Sequence, residues 1–169
     1  DHTGSHAYVA NYSGGNFAML PIQPHGKLMD FTDLKQQNGS SAMKGRQDKP
    51  HAHGIVLDPK QNFALATDLG TDQVVSYAID RKNGKLIESS VFSLDPGSGP
   101  RHLTFHPNKK LAFVISELNS TISSFGYDAK TGRLTLLSTV PTLPEDFSGK
   151  NTCADIHISP DGQFLYGSN

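Results

Sequence analysis

The apolar positions of this chain fall in short runs of no more than four or five residues, each bounded by polar, Gly- or Pro-bearing segments. Ile55 and Leu57, Leu103 and Phe105, and Ile156 and Ile158 alternate with other residues. That period of two places successive side chains on opposite faces of a strand. Each alternating pair runs into a turn, DPKQN (58–62), HPNKK (106–110) or SPDGQ (159–163), whose Pro, Asn, Asp and Gly preset or tolerate turn dihedrals. A second strand is predicted after each turn: FALAT from 63, LAFVIS from 111, FLYGS from 164. After a polar turn comes a third, VVSYAI from 74 and ISSFGY from 122. DRKNGK and DAKTGR then read as hairpin turns into a fourth strand, LIESSVFSL or LTLLSTV. No 3.6-residue helical period competes over any useful length.

The same pattern is a repeat. HGIVLDPKQNFALATDLG (53–70), RHLTFHPNKKLAFVISELN (101–119) and ADIHISPDGQFLYGSN (154–169) align on Pro59, Pro107 and Pro160, 48 and 53 residues apart. An earlier partial copy, HAYVANYSGGNFAML (6–20), matches the second half of the unit. Four strands per unit of this length is the signature of a β-propeller, and a β-sandwich has no reason to repeat at this period. The predicted fold is therefore all-β, a propeller of four-stranded blades. The blades divide as an incomplete one over 1–45, one over 51–96, one over 99–143 and the start of another over 151–169. Thirteen strands make roughly three blades, a fragment of a larger ring, with the missing blades expected from the same chain. The segment 31–50 is polar and Gly/Ser/Lys-rich and reads as a long inter-blade loop.

Composition narrows the function. With 15 Lys and Arg against 16 Asp and Glu, the net charge is −1, which argues against a nucleic-acid footprint. The apolar runs are far too short to span a membrane as helices. The single cysteine, Cys153, leaves no internal disulfide framework. G-x-S-x-G, Walker A and H-E-x-x-H motifs do not occur.

Strand geometry then gathers polar residues. Consecutive strands of a blade are antiparallel, so the head of the first and the end of the second lie at one end. His53 and Arg101 both stand six residues before the anchor proline, at the head of a first strand, and Glu117 ends a second strand. First strands line the central channel, so the three are expected to converge near the axis. A His carries protons near neutral pH, a carboxylate activates water or holds a His tautomer, and an Arg offers a planar fork to an oxyanion or anionic substrate. Solvated strand-end charges are the competing explanation. His51 and His53, two apart, lack a third ligand at a metal-site spacing, so no metal is expected. His106 and His157 lie beside turn or core positions and read as structural. His157, following the polar run KNTCADIH, is also kept as a substrate-binding candidate.

RQDKPHAHG (46–54), DLGTDQV (68–74), GPRHLTFHP (99–107), SELNSTI (116–122) and LPEDFSGKNTCADIHISPDG (143–162) occur in an order and spacing that resemble the lactonase-type seven-bladed β-propeller family. That family contains the propeller form of 6-phosphogluconolactonase and the fungal carboxy-cis,cis-muconate cyclase. The resemblance runs from about residue 6 to the end and implies a seven-bladed ring. It places the catalytic groups at His53, Arg101 and Glu117, the same three that strand geometry brings together. Gly54 stands where Ser is common in the family, Ser116 where Asn often precedes the Glu, and Asp155 where Glu is frequent.

The resemblance implies hydrolysis of a sugar lactone, 6-phosphogluconolactone foremost, with His53 or Glu117 as the base for water. Arg101 would stabilise the oxyanion or anchor a phosphate, and His51 and His102 would orient substrate. It calls for a small-molecule lactone as partner and for no cofactor, nucleic acid or membrane, and a sugar-phosphate substrate suits the cytoplasm. The alternatives are a cyclase working on a carboxylated muconate and a propeller that only binds a ligand or protein.

Overall fold

A computed structural model describes residues 1–169, which form thirteen strands and no helix. The first sheet holds β1 (His6–Asn11), β2 (Asn16–Pro21) and β3 (Asp33–Gln36), in that order. The second holds β4 (Ala52–Leu57), β5 (Phe63–Asp68), β6 (Gln73–Asp80) and β7 (Lys85–Ser93). The third holds β8 (Pro100–Phe105), β9 (Leu111–Ser116), β10 (Thr121–Asp128) and β11 (Arg133–Pro141). The last is the pair β12 (Ile156–Ile158) and β13 (Leu165–Gly167). Every pairing is antiparallel between chain neighbours, the meander of a propeller blade. The first strand β4 packs against β8, and β8 against β12, from sheet to sheet.

The repeat governs the backbone as well as the composition. The second residue after each anchor proline has positive φ: Gln61 at 56°, Lys109 at 62° and Gly162 at 75°. The left-handed region admits Gly freely and costs other residues roughly 1 kcal/mol, so only the third copy meets this turn without strain. The residue before the proline ties the turn down by a different side chain each time. Asp58 accepts the Asn62 and Phe63 N–H groups at 2.7 and 2.8 Å, and Ser159 Oγ accepts that of Phe164 at 3.0 Å. His106 Nδ1 accepts the Asn108 N–H at 3.0 Å, which leaves its Nε2–H to donate to the Gly162 carbonyl at 3.0 Å. His106 is thus a turn residue.

The core lies between sheets. All six residues of β5 are buried, because both faces of the strand are covered. Ala64 and Ala66 pack with Phe17, Met19, Val75 and Tyr77 toward the first sheet. Phe63 and Leu65 pack with Leu103, Val114 and Phe125 toward the third. Small residues on one face and large ones on the other let the sheets approach closely on both sides. A third cluster, Ile115, Cys153 and Ile156, joins the third sheet to β12; Cys153 is a buried packing residue there.

The segment 31–50, expected to be a loop, contains a strand, β3. Its sequence DLKQ has no apolar alternation, because only its backbone joins the sheet, through β2. Asp33 fastens it to the second blade, accepting the Leu86 N–H at 2.8 Å and facing Lys35 at 3.0 Å and Lys85 at 3.5 Å.

Candidate active site

His53 and Arg101 owe their positions to matching irregularities. In β4 the pairing steps from Ala52↔Asp68 to Gly54↔Thr67, and in β8 from Pro100↔Ser116 to His102↔Ile115. His53 and Arg101 are the extra residues of two β-bulges, a device that re-aims a side chain away from the regular alternation. The bulges brace each other. Thr67 Oγ1 donates to the Arg101 carbonyl at 2.6 Å, and a Cβ on Gly54 would lie 2.9 Å from that same carbonyl oxygen. Gly54 therefore has a steric reason to be glycine in this chain.

Glu117 follows β9 and is the hub of the cluster. Arg101 Nε–H donates to Glu117 Oε2 at 3.2 Å, and Arg46 Nη2–H donates to Oε1. His53 Nε2 lies 3.7 Å from Oε2. His53, Arg101 and Glu117 thus converge as expected from the strands, and the Glu117 side chain is only 13 % exposed. Arg101 Nη1–H also donates to the Ala154 carbonyl at 2.7 Å, while Nη2 makes no hydrogen bond within the protein. Burial, reinforced by the Arg101 guanidinium, pushes His53 down to about 4, so its imidazole is neutral at neutral pH. Its Nδ1 is buried without a partner.

Arg46 was not singled out in the sequence. It lies in the β3–β4 connection, 71 residues from Glu117, and its only signal is that it opens the motif RQDKPHAHG. The neighbouring Gln47 anchors it: fully buried, it donates to the Leu69 carbonyl and to Asp72 Oδ1, both at 2.8 Å. Asp72 in turn accepts the Gly97 and Gly99 N–H groups at 2.8 and 2.6 Å, locking the connection to the start of β8.

The histidines sort into two groups. His51 is set back from Glu117: its ring stacks on Tyr12 with centroids 4.4 Å apart, and its backbone N–H donates to Asp68 at 2.7 Å. His102 lies beside the hub, its ring edge-on to His53 at 5.3 Å. His102 Nδ1 is 2.7 Å from Asp155 Oδ1, and His157 Nε2 is 2.8 Å from Asp155 Oδ2. These contacts, His102 first, hold the Asp155 carboxyl well below the usual carboxylate range. The structural reading of His157 is corrected here: its side chain is 75 % exposed and points away from the core. Asp155, noted in the sequence only as a departure from a family pattern, bridges the two rings. His102, Asp155 and His157 line a cavity of about 320 Å³ with Gly54, Ile55 and Thr104, between β4, β8 and β12. Grooves of about 200 and 490 Å³ open between outer strands, but neither gathers such a set of ionisable groups. No group of three or more His, Cys, Asp or Glu side chains is spaced to hold a metal ion.

Comparison with known proteins identifies the class to which this fold of four-stranded antiparallel sheets belongs. The chain belongs to the lactonase family of seven-bladed β-propellers, whose model matches residues 1–169. It is 42 % identical over 162 residues to the protein YwcC of Lactococcus lactis, covering 96 % of this chain and 46 % of that one. It is 34 % identical over 169 residues to the 6-phosphogluconolactonase of Bacillus subtilis, covering all of this chain and 48 % of that one. A crystal structure of a Lactobacillus plantarum protein superposes with a TM-score of 0.94 at 39 % identity, over 99 % of this chain and 48 % of that one. The chain spans about half the length of the curated relatives it matches.

Proposed function

We propose that the protein hydrolyses a sugar lactone, with 6-phosphogluconolactone the first substrate to test. The observation that carries this reading is the Glu117 hub, which assembles a neutral imidazole and a partly free guanidinium beside an open cavity. Water attacks the lactone carbonyl, and the base that takes its proton is His53 rather than Glu117. Both Glu117 oxygens are already engaged by guanidinium donors, Oε1 by Arg46 and Oε2 by Arg101. Glu117 instead sits beside His53 Nε2, where it stabilises the imidazolium as it forms. Arg101, held by Glu117 and the Ala154 carbonyl, presents Nη2 to the tetrahedral oxyanion. The name of the Bacillus subtilis relative supports the choice of substrate.

The test is hydrolysis of freshly generated 6-phosphogluconolactone and of δ-gluconolactone by the full-length protein, measured against the spontaneous rate. Arg101→Ala is expected to lower kcat by about 10²–10³-fold, and His53→Gln by about 10²–10⁴-fold. Arg46→Ala removes one charge-assisted hydrogen bond, worth about 1.5 kcal/mol, and is expected to cost about tenfold. No acceleration of either lactone by the folded protein would overturn the reading in favour of a cyclase or a binding propeller.

A further inference from the structure

The Glu117 hub accounts for one proton transfer, from water to His53, but ester cleavage has a second. The ring oxygen of a lactone leaves as an alkoxide unless it is protonated as the C–O bond breaks, and an alkoxide of an aliphatic alcohol is a poor leaving group. A donor for that proton must line the cavity and have a nitrogen to spare. His53 does not line it: its Nε2 faces Glu117, on the hub side where the water proton is taken up.

His102 meets both conditions. It stands on β8 one residue after the Arg101 bulge, and its ring lies on the cavity wall. Asp155 engages only Nδ1, at 2.7 Å. Asp155 itself is fixed from three directions, by His102, by the Ile156 N–H at 2.9 Å and by His157 at 2.8 Å. A carboxylate so placed fixes the ring orientation and supplies the counterion for an imidazolium. The other charged or titratable groups facing the ring are Arg101, whose Nη1 is 3.3 Å from Nε2, and His53, edge-on at 5.3 Å. Asp155 is thus the one carboxylate that faces the ring, on the nitrogen held at 2.7 Å.

Resting on the lactone-hydrolysis reading, we infer that His102 is the general acid that protonates the departing ring oxygen, and that Asp155 is its positioning residue. As the carbonyl carbon–ring oxygen bond breaks, its electron pair stays on that oxygen, which takes the Nε2 proton of the His102 imidazolium. His102 is left neutral, and His53 holds the proton taken from water. Exchange with solvent restores both rings, and the net proton released is that of the new carboxylic acid.

Two substrates separate an acid from any other role. δ-Gluconolactone expels an aliphatic alcohol, whereas dihydrocoumarin expels a phenol, which ionises near pH 10 and leaves without a proton donor. With the full-length protein, His102→Gln is expected to lose about 10²-fold on δ-gluconolactone and no more than about fivefold on dihydrocoumarin. The surviving phenolic activity shows at once that the variant is folded. Asp155→Asn is expected to show the same split, and Asp155→Glu to recover most of the δ-gluconolactone rate. Equal losses on both lactones, or no loss on either, would overturn the assignment while leaving lactone hydrolysis standing. Failure of the unmutated protein on both would instead remove the lactonase reading, and the role of His102 with it.

Discussion

At the scale of single residues, the site depends on what burial does to one imidazole. His53 is held down to about 4 by burial and by Arg101, against an ordinary value of 6.5. The folded protein thus binds fewer protons than the unfolded chain between these two values. Its stability contribution from His53 is complete above pH 6.5 and is lost as pH falls toward 4, because unfolding frees the ring to take a proton. The shift corresponds to about 3 kcal/mol across that window, since the side chain is only 16 % exposed. Urea unfolding of the full-length protein at pH 7 and pH 4.5 is expected to show a loss that His53→Gln removes in large part. An identical pH dependence in the variant would mean that His53 titrates normally in the folded state. Glu117, between two guanidinium groups, organises the site by accepting from both Arg46 and Arg101.

At the scale of elements, two bulges at equivalent positions in successive blades do the aiming. Without them the strict alternation of β4 and β8 would direct the His53 and Arg101 side chains with their regular neighbours. Their mutual packing leaves no room at residue 54. An added Cβ would lie 2.9 Å from both the Arg101 carbonyl oxygen and Thr67 Oγ1. Gly54→Ala is expected to cost about 1–3 kcal/mol, the usual range for overpacking, and to lower kcat by displacing Arg101. Thermal unfolding and lactone turnover measured on the same preparation check both effects. An unchanged Tm with unchanged turnover would show that the bulges have slack. The same principle explains why β3 carries no sequence signal: an outer strand pinned by one buried aspartate needs backbone pairing, not an apolar face.

At the scale of the whole 169-residue chain, burial grades across the sheets. β5 is covered on both faces, whereas β12 and β13 form a three-residue pair with Phe164 and Tyr166 about 60 % exposed. Two-stranded sheets are marginal in water, and local opening follows the amount of buried contact. Amide exchange of the 169-residue chain is expected to be at least about 10²-fold slower in β5 and β9 than in β12 and β13. Equal protection throughout would show that the chain opens as a single unit.

The amino-acid sequence by itself determined the repeat, its strands and turns, and the convergence of His53, Arg101 and Glu117. Period-two alternation, turn chemistry and antiparallel connectivity are local rules, and a repeated unit carries equivalent positions into equivalent places. Only the tertiary structure decided the rest. Arg46 reaches Glu117 from a connection with no periodicity, through a buried Gln47 that reads as an ordinary polar loop residue. Asp155 joins His102 and His157 across two sheets, a contact that no spacing along the chain announces. The bulges also escape the alternation, since one extra residue in a strand is invisible until its partner strand is placed beside it. Which carboxylate is clamped, which imidazole is enclosed and which one faces the cavity all depend on packing between blades, where distance in space is unrelated to distance in sequence.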